Sequence, residues 1–161
     1  MRSARAAAQP LLDGLPGIDP AWSHRIDVPD VDGILRTWHL LERPAGSEAP
    51  AGEPTGPPVG TMICLHGNPT WSYLWRRFLQ LAPDRWRVIA PDQLSMGWSE
   101  RLEQPRTLAQ RIDDLGRLTE ALDVTGPVVA VAHDWGGPVL LGWAARHRDQ
   151  LAGIVLTNTG V

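Results

Sequence analysis

The chain has 161 residues, 43% of them hydrophobic and 20% charged, with a formal net charge of −3, an ordinary globular composition long enough to bury a core. The slight acidic excess, with no basic stripe, excludes an electrostatic footprint for nucleic acid, and the single cysteine, Cys64, excludes an internal disulfide and is expected to pack. No apolar run is long enough to span a membrane, and Met1–Pro10 lacks the apolar stretch of a signal peptide, so a cytoplasmic location is expected.

In chain order, residues 1–17 are rich in Ala, Arg, Pro and Gly and read as a flexible N-terminus, followed by one core domain over 18–161. Strands are expected at His24–Val28 and Leu35–Leu41, with Asp32-Gly33 as the turn between them. Residues 43–58 hold five prolines among Ala, Gly and Glu and read as a Pro/Gly-rich loop too poor in apolar residues to pack. Further strands are expected at 59–65, 86–90, 127–132 and 153–158, and helices at 71–82, 107–123 and 136–147. The helix at 107–123 is the most strongly marked. Thr107 and Gln110 form a capping box, and Leu108, Ile112, Leu115, Leu118 and Leu122 make one apolar stripe. Trp22, Trp38, Trp86 and Trp143 are assigned to core or strand packing.

From residue 59 the order is βαβαβαβ, which implies an α/β fold: a mostly parallel sheet with helices on both faces. In such sheets ligands gather at the carboxyl ends of the strands. The strand 127–132 ends in Ala132-His133-Asp134-Trp135-Gly136-Gly137, the pattern of a nucleophile elbow, with small residues permitting a sharp strand-to-helix turn. An aspartate stands where such elbows often hold serine. It is already ionised at neutral pH and can displace a leaving group from a tetrahedral carbon, leaving an alkyl ester. Taken alone, Asp134 also reads as a helix N-cap. A second motif, Leu65-His66-Gly67-Asn68-Pro69-Thr70-Trp71, closes the preceding strand 59–65 where this architecture places half of its oxyanion hole. Asn68 offers two side-chain donors and the Trp135 indole one; alone, Asn68 reads equally as a turn cap and Trp135 as packing. No P-loop and no Gly-rich dinucleotide fingerprint is present, and no cofactor or metal is expected.

HGNPTWSYLWR at 66–76 and HDWGG at 133–137 resemble haloalkane dehalogenases of the α/β-hydrolase fold, over most of residues 18–161. The resemblance implies that Asp134 is the nucleophile and that the side-chain N–H groups of Asn68 and Trp135 hold the departing anion of a small apolar substrate. Ala90-Pro91-Asp92-Gln93-Leu94-Ser95-Met96-Gly97-Trp98-Ser99-Glu100-Arg101 and Pro105–Gln110 are more specifically similar to the β-lactone decarboxylases of bacterial long-chain olefin biosynthesis. Some of these are fused to an AMP-forming, ligase-like domain, which makes such an enzyme an implied partner. Ser95 departs from the glycine of the related loop, at a cost on the order of 1 kcal/mol if the backbone there is left-handed.

By the same resemblance a catalytic acid and histidine should follow the nucleophile, together with a lid. After Asp134 there is only His147, expected at the surface near a helix end, and Asp149 beside it; Asn158 stands where some relatives carry the acid. The chain is therefore read as the N-terminal half of such a hydrolase, ending before the lid and last strands and expected to be inactive alone. Four readings stay open: β-lactone decarboxylase, haloalkane dehalogenase proper, epoxide hydrolase (against which Asn68 argues), and an inactive fragment or interaction module.

Overall fold

The computed structural model describes residues 12, 14–46 and 56–160. Much of the N-terminal stretch 1–17 and of the loop 43–58 lies outside the described residues. A 3₁₀ turn, Pro20–Trp22, leads into β1 (Ser23–Pro29), then β2 (Leu35–Arg43), β3 (Gly60–Leu65), α1 (Arg76–Leu81), β4 (Trp86–Pro91), α2 (Leu108–Ala121), β5 (Val128–His133), α3 (Gly136–Arg146) and β6 (Leu151–Thr157).

The six strands form one sheet in the order β1-β2-β4-β3-β5-β6. β1 and β2 make an antiparallel hairpin, β2 pairs antiparallel with β4, and β4, β3, β5 and β6 run parallel to one another. The mostly parallel sheet read from the alternation of elements is present, with the hairpin added along one edge. Its turn is held by the Asp30 carboxylate, which accepts from the N–H groups of Asp32 and Ile34, with Gly33 at φ 77°.

Because neighbouring side chains on a strand point to opposite faces, each parallel strand feeds two cores. Ile63, Leu65, Ile89, Ala130 and Ala132 face α2 and α3, meeting Leu115, Leu118, Leu140 and Trp143. Cys64, Val88, Ala90 and Val131 face the other way, against Trp22, Trp75 and Leu79. Strands buried on both faces explain the continuous β-branched runs in the sequence. The thiol of Cys64 is fully buried, and burial pushes its pKa up, so it packs as an inert apolar group.

Two elements differ from the sequence reading. The segment read as a helix over 71–82 begins as a 3₁₀ turn, Ser72–Trp75, because the Ser72 N–H is taken by the Asp92 carboxylate at 2.6 Å, and regular α-helix starts only at Arg76. β2 continues to Arg43, inside the stretch read as loop. Its guanidinium is buried and donates to the carbonyls of Ala82 and Pro83 after α1, so an arginine that looks like a loop residue finishes a strand.

Candidate active site

β3 and β5 are direct neighbours, with Leu65 opposite Ala132. Their carboxyl ends therefore deliver His66-Gly67-Asn68 and His133-Asp134-Trp135 side by side. The chain must reverse from β5 into α3 within two residues. Asp134 takes φ 52°, the left-handed region that a side chain enters only at a cost. Gly136 permits the turn: a Cβ there would collide with the carbonyl of Leu65, so α3 could not approach β3.

The Asn68 N–H donates to Asp134 Oδ1 at 2.8 Å, and the Trp135 N–H also bonds the carboxylate. These two bonds hold the Asp134 carboxyl below the usual carboxylate range, the Trp135 N–H contributing most. The α3 N-cap is Trp135, which makes no side-chain cap bond. The carboxylate thus takes its N–H partners from the elbow and from the loop after β3. Asp134 is also fixed from behind: its carbonyl accepts from the Gly137 N–H at 2.9 Å and from the Thr159 hydroxyl at 2.6 Å.

The loop that carries Asn68 is braced from below. His66 is buried. Its Nδ1–H donates to the Gly67 carbonyl at 2.7 Å, and its Nε2 accepts from the Gln93 N–H at 3.0 Å. That pairing requires a neutral ring, and burial lowers the His66 pKa against the opposing pull of Asp92. Gln93 closes the frame by donating to the His66 carbonyl at 2.6 Å. A Cβ on Gly67 would strike the Asp134 carboxylate, so this position admits no side chain.

The structure brings Asn68, Asp134 and Trp135 together as the sequence suggests. Asn68 is exposed and Trp135 is 54% exposed, so the indole is not core packing. Thr159 and the His66–Gln93 brace were not singled out from sequence. Thr159 follows the last strand with no pattern to mark it, whereas His66 stood inside a quoted motif and could have been found there. His147 lies at the far end of α3, half-buried, stacked on Trp143 with centroids 4.4 Å apart and donating Nδ1–H to the Trp143 carbonyl. It is less exposed than the surface position expected of it, because the ring covers the indole. Ser95 does adopt a left-handed backbone, φ 70°, and its hydroxyl accepts from the Leu102 N–H at 3.1 Å. Among the described residues no cluster of three or more His, Cys, Asp or Glu side chains could hold a metal.

Residues 60–160 match the alpha/beta hydrolase fold family. The chain belongs to that family. This α/β-hydrolase chain is 45% identical over 113 residues to a cis-3-alkyl-4-alkyloxetan-2-one decarboxylase from Xanthomonas campestris pv. campestris, covering 65% of the chain and 38% of that protein. It is 41% identical over 110 residues to haloalkane dehalogenase 2 of Mycobacterium tuberculosis, covering 66% of the chain and 36% of that protein. The tetrameric haloalkane dehalogenase DpaA of Paraglaciecola agarilytica NO2 superposes with a TM-score of 0.81 at 25% identity, covering 98% of this chain and half of that one. The α/β hydrolase described here thus spans well under half the length of the curated relatives it matches. Its relatives are those that the sequence motifs indicated: oxetanone decarboxylases and haloalkane dehalogenases. No helix among the described residues is long and apolar enough to cross a membrane.

Proposed function

We propose that this chain carries the nucleophile half of a haloalkane-dehalogenase-like hydrolase, in which Asp134 attacks a tetrahedral carbon of a small apolar substrate and forms an alkyl ester. The observation that carries this reading is the Asp134 carboxylate, ionised and gripped by the N–H groups of Asn68 and Trp135. A carboxylate offers about four lone-pair sites, so two such bonds fix its orientation and leave acceptor capacity for attack. Asn68 and Trp135 would turn their side-chain N–H groups to the departing anion, stabilising it without protonating it.

Among substrates, a β-lactone fits best. The identity to an oxetan-2-one decarboxylase is the higher of the two, 45% against 41%. Attack at the ring carbon breaks the C–O bond and releases a carboxylate, which the same pair of donors would hold. The second reading, a haloalkane, uses the same three residues with halide as the anion. The β-lactone reading carries with it a cytoplasmic setting and an AMP-forming, ligase-like enzyme as the source of the lactone. His147, the one histidine after Asp134, is committed to Trp143 at the other end of an 11-residue helix, some 16 Å long.

The test is mass spectrometry after incubation with a cis-dialkyl β-lactone or an alkyl bromide. An adduct on the Asp134 peptide is expected, absent in Asp134→Ala, and formed about 10²–10³-fold more slowly in Trp135→Phe. Adducts confined to Ser99 or Cys64 would refute the assignment.

A further inference from the structure

The sheet register lines up a second set of reactive groups away from Asp134. Ser23 opens β1, opposite Leu41, and His39 lies two residues back on β2, so the two side chains share one face as a diagonal pair. β2 in turn pairs with β4 so that Leu40 faces Pro91, which sets Asp92 beside His39; the Asp92 N–H donates to the His39 carbonyl at 2.9 Å. Ser23 Oγ is 3.0 Å from His39 Nε2, and His39 Nδ1 is 2.8 Å from Asp92 Oδ2.

The proton positions follow from the partners. Asp92 is buried; burial raises its pKa, but His39 and the Trp98 N–H at 2.7 Å outweigh it and hold the carboxyl below its ordinary value, so it is ionised, and its other oxygen accepts from the Ser72 N–H at 2.6 Å. His39 must therefore donate through Nδ1, and in the neutral ring Nε2 is the acceptor. The Ser23 hydroxyl donates to it. His39 is itself fully buried, with the Trp71 ring 6.3 Å away, whereas Ser23 is half-buried on the edge strand beside exposed Ala21 and His24. A hydroxyl within reach of solvent thus sits on a base that is oriented by a fixed carboxylate.

We infer that Ser23, His39 and Asp92 form a second nucleophilic site, at which Ser23 captures activated acyl or phosphonyl donors once per chain. With a fluorophosphonate, the Ser23 Oγ–P bond forms and the P–F bond breaks. The hydroxyl proton passes to His39 Nε2 and fluoride leaves. The imidazolium, steadied by Asp92, then returns the proton to water.

The experiment is incubation of the native chain with a fluorophosphonate probe, followed by peptide mass spectrometry, with the same chain in urea as the reference. The expected result is a single adduct on Ser23, formed on the order of 10²-fold faster in the folded chain, as a positioned general base supplies. Ser23→Ala should lose the adduct and keep a cooperative thermal melt and the alkylation of Asp134. His39→Gln, where its melt shows it folded, should label as slowly as the urea sample. Equal rates in folded and unfolded chain, or labelling elsewhere with Ser23 untouched, would overturn the inference. The urea comparison decides even if His39→Gln does not fold.

Discussion

At Gly67 the backbone runs so close to Asp134 that a single methyl group would displace the carboxylate. Gly67→Ala is therefore expected to slow ester formation about 10²-fold or more, the usual effect of a misplacement near 1 Å, while the melt changes little; adduct accumulation measured beside a thermal scan separates the two. The N–H bonds to Asp134 also fix how its chemistry depends on acidity. Its pKa lies below the ordinary 3.8, so the nucleophile stays ionised as pH falls towards 4. Alkylation should hold level from neutral pH to that point and decline only below it. A decline centred at pH 5 or above, in initial rates of adduct formation, would show that the two N–H groups do not hold the charge. Ser95 shows how far a single position can be read from sequence. The left-handed backbone was foreseeable from the glycine expected there. The compensating bond from the Leu102 N–H was not, because its donor belongs to a residue seven positions on.

Among the elements, the β1–β2 hairpin is tied to the rest of the molecule by charge. Buried Asp30 accepts from Arg36 at 2.7 Å and from Arg106 at 2.5 Å, and Arg106 also reaches Asp32 at 2.8 Å. Asp114 of α2 lies 3.0 Å from Arg106 as an ion pair without hydrogen-bond alignment, and its other oxygen accepts from the Val31 N–H. Burial alone would raise the Asp30 pKa, but Arg36, the two turn N–H groups and Arg106 outweigh it and leave it lowered. Its stabilising contribution is therefore complete above pH 3.8 and is lost as pH falls through the lower folded value. Removing Arg106 takes from buried Asp114 its ion-pair partner and leaves buried Asp30 with Arg36 and the turn N–H groups. Arg106→Ala is expected to cost on the order of 3 kcal/mol, a drop of roughly 6–12 °C in the melting midpoint by calorimetry at neutral pH. None of this was legible in the sequence. The turn at Asp32-Gly33 was, since turn chemistry is local, whereas the partners of Asp30 are up to 76 residues away. Helix α2 was legible almost to the residue because its capping box and its apolar stripe are both local signals, and both are present. The 3₁₀ opening before α1 was not, because a carboxylate on another strand imposes it.

For the molecule as a whole, the sheet ends at β6, whose outer edge has no strand beside it among the described residues. Ile154 and Val155 are 40% and 44% exposed there, an open edge of the kind that pairs with other chains. Val155→Lys is expected to shift the chain towards monomer in size exclusion at high concentration, leaving Asp134 reactive; an unchanged elution profile would mean the edge is not what associates. The parallel order of β3, β4, β5 and β6 has a further consequence, in the time domain. The hairpin of β1 and β2 and the single helices close over short stretches of chain, but Asn68 and Asp134 stand 66 residues apart. Contacts of such separation carry a large loop-closure entropy and are made slowly. The reactive carboxylate therefore acquires its bond from the Asn68 N–H only when β3 and β5 have zipped together. A nascent or refolding chain would gain its helices first and the bond that aims its nucleophile last.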